Sequence, residues 1–207
     1  MDQRLFFLIN RDWTCPALDR IMAAASSLDL WLPFLIVLVV AVLWRGRTRA
    51  RWFLLCLWLT LAINDALIGD ALKHLVHRSR PFQAMPGVRQ LDLDRRARPR
   101  FLALLHPLDS KISTDATVMA MPVGAGRSFP SNHTTNNFCA ATVLTLFYRR
   151  RGWWYFLPAA LVGYSRVYVG AHWPSDVLAS ALLAVGWVLA AAALVRWWTR
   201  RRGGVSG

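Results

Sequence analysis

Five apolar segments, separated by clusters of arginine, constrain the fold of this chain more than any other feature. The segments are residues 30–44, 52–72, 134–148, 153–168 and 177–195. A membrane-spanning helix needs roughly 20 mainly apolar residues, and tilt or packing allows slightly fewer. Only the fifth segment is unambiguous by length alone. We interpret the pattern as an all-α fold, a polytopic membrane helix bundle with five spans.

The charge of the chain is concentrated between these segments. Hydrophobic residues make up 56% of the 207 residues, yet the formal net charge is +14, a combination that is rare in soluble globular proteins. Arginines cluster at 45–51, 149–151 and 196–202. A nucleic-acid-binding protein would use them for phosphate contacts, but the apolar segments argue against that class. We therefore expect no nucleic-acid partner.

The arginine clusters also predict the orientation in the membrane. Cytoplasmic loops carry an excess of Lys and Arg, so the three clusters are placed in the cytoplasm. Residues 73–80, 82–129 and 166–176 then lie together on the opposite side, facing the periplasm or exterior of a cell inner (cytoplasmic) membrane. The chain is expected to be a single domain, residues 1–207.

The sequence also predicts the structure of a short N-terminal segment and of one long loop. Residues 17–28 have helical spacing but are too few to cross a bilayer, which predicts an interfacial or re-entrant helix. The long non-cytoplasmic loop 82–129 carries a basic run, Arg95, Arg96, Arg98 and Arg100, followed by apolar residues. It suits a flap that contacts a lipid headgroup, and a solvated loop without a role in chemistry is an equal alternative.

Three cysteines in the chain lack metal-ligand spacing, and two of them lie inside apolar segments. They predict neither a disulfide framework nor a zinc site. The first residues also lack the features of a cleavable signal peptide.

The first chemically informative segment is residues 73–81. Lys73 and Arg80 are seven residues apart, which places them on one face of a helix that Pro81 would end. Two cations on one helix face suit a phosphate group. The alternative is a pair of snorkelling cations at a helix end.

The second segment, residues 128–133, opens the third apolar segment. A helix start presents unpaired backbone N–H groups and the positive end of the helix dipole, which makes an anion site with His133 beside it. Alternatively, Ser131 is only an N-cap.

The third segment, residues 165–176, leads into the fifth apolar segment. Pro174 suits the first turn of that helix, so His172 lies just before it and Asp176 in its opening turn. Asp176 either complements the helix dipole or accepts a proton from one ring nitrogen of His172, which leaves the other nitrogen unprotonated.

Together the three segments resemble the signature of the type 2 phosphatidic acid phosphatase family. That signature is Lys, six residues, Arg-Pro; then Pro-Ser-Gly-His; then Ser-Arg, five residues, His, three residues, Asp, and every spacing matches. Within the family the chain looks similar to small bacterial undecaprenyl diphosphate phosphatases. One position departs from the pattern: Asn132 replaces the usual glycine, so the phosphate-facing backbone there is expected to differ slightly or to be supplemented by the amide side chain.

The resemblance implies a metal-independent lipid phosphatase without a cofactor, working through a phosphohistidine. It implies that His172 is the nucleophile, that Asp176 orients it, and that His133 protonates the leaving oxygen. The phosphoryl oxygens would be held by the remaining matched residues: Lys73, Arg80, Ser131, Asn132 and Arg166.

Several alternatives remain open at this stage. The substrate is expected to be undecaprenyl diphosphate, with phosphatidic acid, phosphatidylglycerophosphate or lipid A as other substrates, and transfer to a second lipid instead of water is a related reaction. A haloperoxidase with this kind of oxyanion site is disfavoured by the five spans. In a different class, an anion channel or transporter would use Asp65, Asp70 and Lys73 as a polar pathway, although Asp70 and Lys73 also suit a local ion pair.

Overall fold

A computed structural model describes residues 1–120 and 127–203, and their architecture is mainly helical. Residues 121–126, which belong to the predicted loop 82–129, lie outside the described residues, as do residues 204–207 of the predicted domain. The helices are α1 Asp2–Phe7, α2 Pro16–Ser26, α3 Leu28–Arg45, α4 Thr48–Ile63, α5 Asp70–Val76, α6 Pro81–Ala84, α7 Asp115–Met119, α8 Asn132–Tyr148, α9 Arg150–Trp153, α10 Phe156–Tyr168 and α11 Pro174–Gly203. Two strands, β1 Arg89–Asp92 and β2 Asp109–Ile112, lie between α6 and α7.

All five predicted apolar segments are helical. Among the described residues, three stretches are long and apolar enough to cross a membrane: Leu28–Arg45, Thr48–Ala84, whose helices are interrupted after Val76, and Pro174–Arg202. Helices α8 and α10, with 17 and 13 residues, are shorter than the roughly 20 residues that a full crossing needs. Five crossings therefore stay a prediction.

Helix α8 lies at the centre of the bundle and packs against α4, α10 and α11. Cys139 and Val143 of α8 are buried against Ala184 and Val188 of α11, and Phe53 of α4 adds to this cluster. In contrast, α3 exposes long apolar side chains such as Val37 and Leu38 over most of its length. Exposed apolar surface of this size on a helix is expected where lipid is the solvent.

The N-terminal helices cover the end of the bundle where α10 and α11 are joined. Helix α2 overlaps the predicted helix at residues 17–28 and has only 11 residues, so it is too short to cross a bilayer. It packs against α10, and Met22 joins a buried cluster with Phe6 and Tyr168. The Phe6 ring lies 5.3 Å from the Trp173 ring, which fixes α1 beside the start of α11.

The mainly helical fold agrees with the predicted all-α class, and the long loop adds a short β-hairpin that was not predicted. Strands β1 and β2 pair antiparallel, with Gln90 opposite Lys111. Their sequences, RQLD and DSKI, lack the alternation of apolar and polar residues that marks a strand. Leu93 and Ala103 of the loop are buried against Ala23 of α2 and Leu30 of α3. These contacts anchor the hairpin to the N-terminal helices.

The prediction of one helix that carries both Lys73 and Arg80 is wrong. Helix α5 ends at Val76, and His77 adopts a left-handed conformation with φ of 46°. Arg78 and Ser79 then run outside a helix because other elements bind their carbonyls: the Ser128 N–H donates to Arg78 at 2.9 Å and the Trp173 indole N–H donates to Ser79 at 2.9 Å. Pro81 begins helix α6 instead of ending the preceding helix.

Candidate active site

The three informative segments meet at one end of the bundle, at the start of α8, the end of α10 and the start of α11. The arginine clusters 149–151 and 196–202 lie at the C-terminal ends of α8 and α11, and the cluster 45–51 lies between α3 and α4. The Arg49 guanidinium donates to the Phe147 carbonyl and stacks 5.3 Å from the Tyr148 ring, which brings the first cluster to the C-terminal end of α8. The site and the arginine clusters are therefore separated by the length of the bundle.

His172 is buried, and one of its ring nitrogens is fixed by the backbone. Its Nδ1 lies 2.6 Å from the Ser128 carbonyl oxygen. A carbonyl only accepts hydrogen bonds, so Nδ1 carries the hydrogen and Nε2 of the neutral ring keeps its lone pair. Burial lowers the pKa of His172 well below 6.5, and the positive charges of Arg166 and Arg80 lower it further. His172 is thus a neutral imidazole with a free Nε2 at neutral pH.

The turn after α10 explains the position of His172. Gly170 has φ of 79°, and a side chain there would meet the Arg89 carbonyl oxygen at 2.5 Å. This left-handed glycine lets the chain fold back, so that the N–H of His172 donates to the Arg166 carbonyl at 3.2 Å. His172 and Arg166 are therefore held in a fixed relation.

Asp176 does not contact the His172 ring, contrary to the pairing considered from the sequence. It is fully buried and accepts hydrogen bonds from the Ser128 hydroxyl at 2.5 Å and from Arg78 at 2.5 Å. Since Ser128 also supplies the carbonyl that binds Nδ1, Asp176 and His172 are connected through Ser128. The sequence showed no reason to prefer this indirect arrangement over a direct one.

His133, Arg80 and Arg166 line one open cavity of about 890 Å³. Arg166 donates to the side chain and carbonyl of Ser26, and its buried Nε has no hydrogen-bond partner among the residues that the structure describes. An N–H group in this position seeks an acceptor, because leaving it unpaired is costly. The cavity therefore includes the guanidinium groups of Arg80 and Arg166 together with a histidine, a set that suits an anionic group such as phosphate.

The other predicted phosphate ligands have partners elsewhere. The Lys73 ammonium lies 3.9 Å from Asp70, which is the local ion pair considered above. The Ser131 hydroxyl is buried and accepts from Thr134, while its N–H donates to the Ser180 hydroxyl. None of these groups lines the cavity.

Asn132 also turns away from the cavity. Its amide nitrogen lies 3.4 Å from Asp65, in the π-helical turn Asn64–Gly69 between α4 and α5. The same carboxylate accepts from Asn136. The idea that the Asn132 amide supplements the phosphate site is thus not supported by the geometry, and Asp65 is bound by amides instead of lining a polar pathway.

Two residues of the network were not singled out from the sequence, Arg78 and Asp2. Arg78 binds Asp176, Asp2 at 2.6 Å and Ser175 at 2.9 Å, and it stacks on the Trp173 ring. Arg78 lies inside the first informative segment, so its place in the sequence could have identified it as a residue of the site. Nothing in the sequence pointed to Asp2, which lies 174 positions from Asp176.

No metal centre is apparent in the described part of the chain. Among residues 1–120 and 127–203, no group of three His, Cys, Asp or Glu residues is arranged to hold a metal ion.

Comparison with known proteins gives relatives whose names include a transport permease and a diphosphatase. The Bacitracin transport permease protein BcrC of Bacillus licheniformis is 26% identical over 155 residues, which are 75% of this chain and 62% of that protein. This chain thus spans less than two thirds of that relative. The Undecaprenyl-diphosphatase of Sulfolobus acidocaldarius is 28% identical over 191 residues, 89% of this chain and 71% of that protein.

The fold has a match among solved structures. The crystal structure of Aquifex aeolicus LpxE superposes with a TM-score of 0.57 at 23% identity, covering 93% of this chain and 94% of that one. The sequence model of the PAP2 superfamily matches residues 92–202, more than half of the chain, and this stretch includes His133, Arg166, His172 and Asp176. The chain belongs to the PAP2 superfamily.

Proposed function

We propose that this chain is an integral membrane lipid phosphatase that hydrolyses a lipid phosphate or diphosphate through a phosphohistidine on His172. The observation that carries the proposal is the fixed His172 ring, whose Nδ1 donates to the Ser128 carbonyl and whose Nε2 is left free. His172 does not itself line the cavity, but it lies close enough to two cavity residues, Arg80 and Arg166, for their charges to act on it. A nucleophile needs this unprotonated nitrogen, and the transferred phosphoryl group needs nearby positive charge.

In the proposed reaction, Nε2 of His172 attacks phosphorus while the bond from phosphorus to the leaving oxygen breaks. The negative charge of the bound phosphate offsets the positive charges of Arg80 and Arg166, which allows His133 to be protonated, and His133 then donates this proton to that oxygen. Water then attacks the phosphohistidine, gives a proton to His133, and releases inorganic phosphate with His172 restored. Arg80 and Arg166 stabilise the charge on the equatorial oxygens in both steps.

We propose undecaprenyl diphosphate as the substrate and a cell inner membrane as the location, with the site facing the periplasm or exterior. The Sulfolobus relative carries the name of that activity, and the arginine clusters at the opposite end of the bundle support this orientation. Phosphatidic acid, phosphatidylglycerophosphate and lipid A phosphates are the competing substrates. A panel of these lipids assayed with one detergent-purified preparation distinguishes them by phosphate release.

The mechanism is tested by exchanging the leaving group. A nucleophile is needed for every substrate, whereas a general acid contributes about 10²- to 10⁴-fold, and mostly when the leaving group is poor. His172→Ala should abolish hydrolysis of alkyl and aryl phosphates alike. His133→Ala should lose most activity on an alkyl phosphate and less on an aryl phosphate.

His74→Ala, an exposed histidine of α5, is the matched control and should retain activity on both substrates. Activity should survive EDTA, since arginines replace a metal ion in charge neutralisation. Rescue of His172→Ala by the aryl substrate, with His133→Ala inactive on both, would require the two roles to be exchanged.

A transport function is the second candidate, because the Bacillus licheniformis relative is named a transport permease. A purified transporter would release no phosphate from lipid substrates. If the protein instead moved ions or solutes across liposomes and left every lipid phosphate intact, transport would replace hydrolysis as the assignment.

A further inference from the structure

The cavity lined by His133, Arg80 and Arg166 carries more positive charge than one phosphoryl group requires. Besides Arg80 and Arg166, four cations of the long loop line it: Arg95, Arg98, Arg100 and Lys111. We infer that Arg98, Arg100 and Lys111 form a second anion subsite. It binds the phosphate that remains on the lipid when the terminal phosphate of a lipid diphosphate is transferred. The inference rests on the proposed function.

Acidic residues of the cavity do not cancel this surplus. Asp29, Asp92 and Asp109 also line it. Arg95 lies among these carboxylates, with a guanidinium nitrogen 2.6 Å from Asp92. Because Arg95 is already paired with a carboxylate, we do not include it in the subsite.

The other three cations have donors to spare. Arg100 gives one N–H to the Asp94 carbonyl at 2.7 Å, and its buried Nε has no partner. Within the described part of the chain, the partners of the Arg98 guanidinium are backbone carbonyls. Lys111 forms no ion pair within residues 1–120 and 127–203. A guanidinium has five N–H donors in a planar arrangement that matches phosphate oxygens, so each arginine can bind an anion while keeping its present bonds.

The backbone segments that carry these cations are held by strand pairing and by buried side chains. Lys111 lies on β2 opposite Gln90, which also lines the cavity. The segment with Arg98 and Arg100 is flanked by buried Ala97 and Ala103. The cavity, about 890 Å³, is as large as pockets that hold whole organic ligands, roughly 300–1,000 Å³. A single phosphate would leave most of it empty, whereas a diphosphate headgroup would fill more of it and would supply a second anion for the cations of the loop.

The test compares two substrates that share one chain, farnesyl diphosphate and farnesyl monophosphate, in detergent. Arg100→Gln, Arg98→Gln and Lys111→Gln are measured beside Arg96→Gln. Arg96 is an exposed cation of the same loop that does not line the cavity, so its variant removes the same charge without touching the subsite. Arg100→Gln should raise KM for the diphosphate about 10-fold or more, as expected for loss of a charged hydrogen bond. Its monophosphate KM and kcat should change less than about twofold.

The outcomes separate the two proposals. If the unmodified protein releases phosphate from neither substrate, the proposed function fails. If it hydrolyses both and the three variants lose activity equally on both, the second subsite is refuted while the phosphatase stands. An equal loss in Arg96→Gln would assign the effect to the overall charge of the loop and also refute the subsite.

Discussion

Arg78 connects the N-terminus of the chain to the candidate nucleophile through a series of short contacts. Its guanidinium binds Asp2 and the buried Asp176, Asp176 binds the Ser128 hydroxyl, and the Ser128 carbonyl binds Nδ1 of His172. A misplacement of about 1 Å at a reacting atom can reduce the rate about 10²-fold. Arg78 is thus expected to be a positioning residue, acting through Asp176 and Ser128.

Arg78→Gln should reduce kcat on the order of 10²-fold with little change in KM, because it leaves Asp176 without its cation and loosens Ser128. The readout specific to positioning is the tautomer of His172, measured by ¹⁵N NMR of the labelled imidazole. In the unmodified protein Nδ1 should be protonated and Nε2 free at pH 6.5, because burial lowers the pKa of His172 below that value.

In Arg78→Gln both neutral tautomers of His172, protonated on Nδ1 or on Nε2, should be populated. Arg4→Gln, an exposed cation of α1, is the control and should change neither kcat nor the spectrum. A full loss of kcat in Arg78→Gln with the Nδ1–H tautomer intact would contradict the positioning role.

At the level of elements, α8, α10 and α11 converge at Gly163 of α10. A side-chain carbon at this position would meet Val177 Cγ1 at 3.0 Å and Thr134 Cγ2 at 3.6 Å. Small residues allow membrane helices to approach this closely. Arg166 follows one turn later on α10, and Val177 lies one residue after Asp176, so the spacing of these helices sets the geometry of the site.

Gly163→Leu should push α10 away from α11 and destabilise the fold by about 1–3 kcal/mol, the usual effect of overpacking. Activity should fall together with the midpoint of thermal unfolding in detergent. The control is Gly186→Leu in α11, where nothing lies within 4 Å of an added side-chain carbon. Equal effects of the two variants would show that the contact at Gly163 does not determine helix spacing.

For the whole molecule, the separation of arginine clusters and site predicts the membrane orientation. The clusters surround one end of the bundle, and the hairpin with the cavity lies at the other. Loops rich in Lys and Arg stay in the cytoplasm, so the site is expected outside. Six cations also line the cavity, so the difference in positive charge between the two ends is smaller than the arginine clusters alone suggest.

The orientation is tested with single cysteines in a variant whose Cys15, Cys56 and Cys139 are replaced. Leu105→Cys, at an exposed position of the long loop, should react with an impermeant thiol reagent in intact cells. Arg150→Cys, exposed at the other end, should react only after the membrane is permeabilised. The reverse pattern would place the site in the cytoplasm.

The sequence by itself determined the helical segments and the end of the bundle where the chemistry lies. Helix positions follow from local composition, because 15 to 20 apolar residues in a row form a helix wherever backbone groups lack water. The grouping of Arg80, His133, Arg166 and His172 followed from spacing and topology, since each lies at a helix end on the same side. Family membership was also predicted correctly, from motifs that are short and ordered.

Tertiary contacts decided which of those residues face the cavity and which partners they have. Asp176 binds Ser128 instead of His172, and the helix with Lys73 ends at Val76 because Ser128 and Trp173 bind the following carbonyls. The hairpin in the long loop, which carries Lys111, depends on buried contacts of Leu93 and Ala103 with Ala23 and Leu30. Such partners lie far apart in the chain, so local patterns do not encode them, and only the packed structure brings a donor to its acceptor.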